Sequence, residues 1–105
     1  MKIYNGDTFM FSYSCELKEG IPYIIQPQDI VKVIIYETLN ETNYISKEFK
    51  FNEPKESIDI YIECEKMKKL KCGNYTIEIK IINTSGTFTT YQEEIFIKES
   101  WCIDD

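Results

Sequence analysis

The chain has 105 residues, enough for one domain with its own hydrophobic core. Hydrophobic residues make up 43% and charged residues 29%, which excludes a disordered polymer, and the apolar share is dominated by Ile, Tyr, Phe and Val. The net charge of −6 argues against a nucleic-acid partner, because phosphate binding needs a basic surface.

The opening residues 1–7 are polar and reach a turn at once at Asn5-Gly6-Asp7. They lack the apolar stretch of a signal peptide, and no run of about 18 apolar residues follows anywhere in the chain. The expectation is synthesis in a cytoplasm and no membrane partner. Thr8 to Lys18 then alternates, with Phe9, Phe11, Tyr13, Cys15 and Leu17 on one parity and Thr8, Ser12, Ser14 and Glu16 on the other. This predicts a strand buried on its odd face, ended by Glu19-Gly20.

Ile21 to Asp29 holds Pro22 and Pro27, so it reads as a connection, with Tyr23 and Ile25 tucked under the sheet. Ile30 to Glu37 is a second strand. Lys32 interrupts one of its faces, which assigns Val31, Val33 and Ile35 to the core. A polar turn follows at residues 39–43. Tyr44 to Phe51 is a third strand, with Ile45, Phe49 and Phe51 inward and Glu48 and Lys50 outward. Ser57 to Cys64 is a fourth, with Ile58, Ile60 and Ile62 alternating with Asp59, Tyr61 and Glu63.

Glu65 to Leu70 is the one passage of helix-compatible composition, and it is long enough only for a single turn between two sheets. Gly73 to Ile81 alternates without a break, Asn83-Thr84-Ser85-Gly86 turns, and Thr87 to Lys98 is extended again. The two runs form a long antiparallel hairpin, with the second expected at the edge of its sheet. Residues 1–98 therefore read as a single β-sandwich domain and 99–105 as an acidic C-terminal tail. The predicted fold is all-β, an immunoglobulin-like antiparallel sandwich of six to seven strands. A closed barrel is the structural alternative.

The chemistry-bearing residues are sparse. The chain has no His, so a Ser-His or Cys-His pair is impossible. Its four cysteines, Cys15, Cys64, Cys72 and Cys102, include no CxxC pair, and reduced thiols behaving as small apolar groups are expected. Glu93 and Glu94 are adjacent on a strand and point to opposite faces. The loop acids lack calcium-loop spacing. These observations predict no catalytic residue, no metal and no cofactor. The outward aromatics remain. Tyr36, Tyr44, Tyr61, Tyr91 and Phe96 fall on faces assigned as polar, and aromatics there mark an interface or a sugar platform. Trp101 follows the last strand, either as a cap over the end of the sandwich or as an interface anchor.

Several of these runs follow one another in a familiar order. Asn5-Gly6-Asp7-Thr8-Phe9-Met10-Phe11, then Gly20-Ile21-Pro22-Tyr23-Ile24-Ile25, Val31-Lys32-Val33-Ile34-Ile35, and Leu70-Lys71-Cys72-Gly73-Asn74-Tyr75-Thr76-Ile77 are each followed by the next at compatible spacing. The chain here resembles the immunoglobulin-like N-terminal domain of phage baseplate upper proteins, over roughly residues 5 to 98. Ser85-Gly86 and Thr89-Thr90 resemble that family's closing hairpin.

The resemblance implies a non-catalytic structural or adaptor module of a phage tail, baseplate or virion, docking through a sheet face or edge. Its partners would be other virion or tail proteins, or further copies of itself. The protein would be made in a bacterial host cytoplasm and carried in the virion. The candidate contact residues are Tyr61, Tyr91, Phe96 and Trp101. Two other expectations stand beside it: a small carbohydrate- or ligand-binding sandwich, and a small phage or bacterial effector that inhibits a host protein.

Overall fold

Alternation of period two carries most of this structure. The computed structural model describes residues 2–4, 8–18, 20–39 and 45–98. Wherever Ile or Val recurs at every second position, a strand forms and buries that parity. Nine strands and one helical turn result among the described residues: β1 (Lys2–Tyr4), β2 (Phe9–Ser14), β3 (Glu16–Lys18), β4 (Ile21–Pro22), β5 (Ile30–Glu37), β6 (Ile45–Phe49), β7 (Ser57–Ile62), α1 (Cys64–Met67), β8 (Gly73–Asn83) and β9 (Gly86–Lys98).

The larger sheet has the order β1-β9-β8-β5-β6, and the smaller pairs β2 with β7. The short β3–β4 pair stands apart. The protein is an all-β sandwich. Neighbours pair antiparallel except β1, which runs parallel to β9 with Lys2, Ile3 and Tyr4 opposite Phe96, Ile97 and Lys98. β5 and β6 form one hairpin and β8 and β9 another, and between them the chain crosses through β7 and back through α1. Three small strands exceed the six to seven expected, and two corrections accompany them. The N-terminal segment is a strand and not only a turn. β9 is not a full edge, because β1 covers its last three residues.

The core lies between the sheets. Val31, Val33 and Ile35 from β5, Ile77, Ile79 and Ile81 from β8, and Ile95 and Ile97 from β9 meet Phe9, Tyr13, Ile58, Ile60 and Ile62 from the smaller sheet. Each such side chain stabilises the fold by about 1.5–3 kcal/mol through burial. Ile25 is fully buried and bridges the backbone of Lys55, so the proline-bounded connection is tucked under the sheet as expected. The predicted strand from Thr8 to Lys18 is instead split: at Cys15 the pairing switches from β7 to the β4 side, where Tyr23 N–H donates to the Cys15 carbonyl at 2.9 Å.

Tyr75 anchors the crossing into β8. Its ring is buried, and its hydroxyl donates to the Lys71 carbonyl at 3.0 Å, four residues upstream. That is the tyrosine corner of immunoglobulin-like sandwiches. Gly73 beside it has φ of +155°, a value that side-chain-bearing residues rarely adopt. Tyr75→Phe should destabilise the fold by about 1 kcal/mol, the usual net worth of one such hydrogen bond. Urea denaturation measures it, and an unchanged midpoint would mean that the hydroxyl contributes nothing.

Candidate functional site

The smaller sheet presents the face most unlike an ordinary solvated surface. β2 turns Phe9, Phe11 and Tyr13 inward and Met10, Ser12 and Ser14 outward. β7 turns Ile58, Ile60 and Ile62 inward and Ser57, Asp59 and Tyr61 outward. The register sets Met10 opposite Tyr61 and Ser12 opposite Asp59. Ser12 Oγ donates to the Asp59 carboxylate at 2.9 Å. Met10 is 66% exposed and Tyr61 45%, so both outward members of this register pair reach water on a face otherwise made of small polar groups.

Lys47 closes the side of the sandwich beside Tyr61. It sits opposite Val33 in the register, so it belongs to the inward parity of β6, an edge strand. Its ammonium lies 3.5 Å from the Tyr61 ring centroid and 5.1 Å from that of Phe49. The two rings meet edge to face at 5.8 Å. The same ammonium donates to the Tyr61 carbonyl at 3.1 Å and pairs with the Glu63 carboxylate. That hydrogen bond from Lys47 holds Glu63 below its ordinary carboxylate range. A charge turned inward on an edge strand is a known device against edge-to-edge pairing.

The opposite side of the sandwich, between β2 and β9, is aromatic. Phe11 lies 5.2 Å from Phe9 and 6.2 Å from Tyr91, and Tyr91 meets Tyr13 edge-on at 5.6 Å. Tyr13 donates to Thr90 Oγ1 at 2.5 Å, and Thr90 in turn donates to the Ile79 carbonyl at 3.2 Å. Thr90 is the extra residue of a bulge, since Ile79 faces Tyr91 while Lys80 faces Thr89. Burial holds the Tyr13 hydroxyl in its neutral form well above the usual range. Tyr91 donates to Glu93, and burial first and that carboxylate second push its hydroxyl up to about 12.

The three described candidate contact residues do not share a surface. Tyr61 is outward on the smaller sheet. Phe96 is 38% exposed on the outer face of the larger sheet, opposite Asn74. Tyr91 is half-buried against the core and is not an outward aromatic, which corrects its expected place. Trp101 lies outside the described residues, as does Tyr44. Met10, Lys47 and the Phe11–Tyr91 pair were missed. The sequence signal for the first was its position opposite the alternating face of Ser57–Ile62.

Two polar features belong to the scaffold. Asp29, fully buried, accepts hydrogen bonds from Tyr23, the Gln26 N–H and the Asn83 side chain. Thr38 and Thr76 share a hydrogen bond at 3.0 Å. The latter pair lines a depression of about 430 Å³ with Tyr36, Gln92, Glu93 and Glu94. Among the described residues no group of three or more Cys, Asp or Glu side chains is gathered for a metal ion. No helix there is long and apolar enough to cross a membrane. Comparison with protein-family models, with curated proteins and with solved structures finds no match to this chain.

Proposed function

We propose that this protein is a non-catalytic adaptor module of a phage tail, baseplate or virion that docks onto neighbouring proteins through its smaller sheet. The observation that carries the docking reading is the exposed Met10–Tyr61 register pair beside a β2 edge that no described strand pairs. The ordered series of motifs from Asn5 to Thr90 supports the phage setting. Aromatic and Met side chains are enriched at the centres of protein interfaces, and a specific contact buries about 800 Å² per partner. The division of Tyr61 and Phe96 between two outer faces favours docking over a sugar platform, which needs its rings aligned.

Mass spectrometry of purified particles and pull-down of tail components test the reading together. The protein should appear in the particles and retain a tail protein. Met10→Ala with Tyr61→Ala should weaken that contact by about tenfold or more. Absence from particles together with no tail-protein binding sinks the proposal, and retention of a host protein instead would favour an effector.

A further inference from the structure

Among the described residues, the long strand edges of this sandwich are guarded, with one exception. β6 carries Lys47 and Glu48. The outer edge of β7 is occupied by the Lys47 ammonium at the Tyr61 carbonyl. β9 is interrupted by its bulge at Thr90, carries Glu93 and Glu94, and is covered by β1 at its end. β2 has none of these devices. Thr8 through Cys15 contains no charge, no Pro and no Gly. Its pairing with β7 runs without a bulge from Phe9 to Ser14. No described strand pairs with its other edge. A short, uncharged segment of high strand propensity left open in this way is a template for another strand.

We propose that β2 is a self-pairing edge: two copies of this chain join β2 to β2, antiparallel about a twofold axis, into one continuous four-stranded sheet. A second copy fits this edge in charge and in geometry. Twofold pairing sets residue i opposite j and j opposite i, so a charged edge would face its own charges. β2 has no charge to repel. Its inward residues Phe9, Phe11 and Tyr13 would meet one another, and aromatic cross-strand pairs are favourable. Phe11 and Tyr91, half-buried at this seam, would lose exposure to the incoming strand. The smaller sheet has two strands, and sheets gain stability from three or more. Each copy carries −6, so raising salt should strengthen the dimer by screening that repulsion.

This deepens the docking reading by naming an edge and a partner, and the two fail separately. A monomer found in particles overturns self-pairing and leaves the adaptor role. A dimer absent from particles and blind to tail proteins does the reverse. The test is sedimentation equilibrium of the full chain at low and high salt, with Ser14→Lys and Met10→Lys beside it. Both outward side chains tolerate lysine without entering the core, and circular dichroism checks that strand content is unchanged. The unmodified chain should sediment as a dimer, and either lysine should weaken it by about tenfold or more, since symmetry counts each charge twice. A monomer at every concentration, or a dimer indifferent to both lysines, overturns the proposal.

Discussion

Ile79→Ala should destabilise the fold by about 4 kcal/mol, near the upper end for truncating a buried aliphatic side chain. Ile79 is fully buried on β8, the middle strand of the larger sheet, with Val33 on one side and Tyr91 on the other. Its carbonyl also receives the Thr90 hydroxyl that anchors Tyr13. Truncation leaves a cavity bounded by strands paired on both sides, so the walls have little freedom to close it. Ile82→Ala, on the same strand but half-buried on the outer face, should cost less than half as much. Urea denaturation of both variants measures the difference. Equal losses would show that the core does not lie between the two sheets.

Asp29→Ala should cost about 3 kcal/mol, because it strands three donors that now share one buried carboxylate. Those bonds tie Tyr23 and Gln26, in the proline-bounded connection, to Asn83 at the end of β8. Burial alone would raise the carboxyl, but the bonds from Tyr23, Gln26 and Asn83 outweigh it and hold Asp29 below its ordinary value. A lowered folded-state value means that this stability is present above the unfolded value of about 4 and is lost as pH falls through the folded one. The gap between the unmodified chain and Asp29→Asn, which cannot ionise, should therefore be widest near neutral pH and narrow below about pH 4. Tyr23, pushed up to about 12 by burial and by Asp29, adds the opposite limit: its contribution is present below its unfolded value of about 10 and lost as pH rises through the folded one. A gap that does not change with pH would mean that Asp29 is not ionised in the folded protein.

How far the chain could be read in advance depended on how local each signal was. The cores of β7 and β8 were legible because Ile recurs at every second position, and that of β5 because Lys32 interrupts one face of a nearly all-apolar run. The helical turn was legible from composition and came out shifted toward Cys64. β1 was not legible, since three residues pair in parallel with a strand more than ninety residues away and leave no periodic trace. Tyr91 shares the parity of Ile95 and Ile97, but Glu93 shares it too, and an acid there disguises an inward face. The structure resolves the conflict by bonding the Tyr91 hydroxyl to Glu93 at the open seam. Lys47 was invisible for the same reason: a lysine on the inward parity of an edge strand serves the edge, not the core.

The proposed docking face rests on that distribution of guards. Lys47 protects one side of the sandwich and a bulge with two acids protects β9, while β2 and the Met10–Tyr61 pair stay open. Amide hydrogen exchange along β2, followed as protein concentration rises, tests this most directly. The account predicts that amides of Phe9–Ser14 on the unpaired side gain protection with concentration, while those of Gly86–Thr89 do not change. Exchange along β2 that is independent of concentration, and of added tail protein, would contradict it.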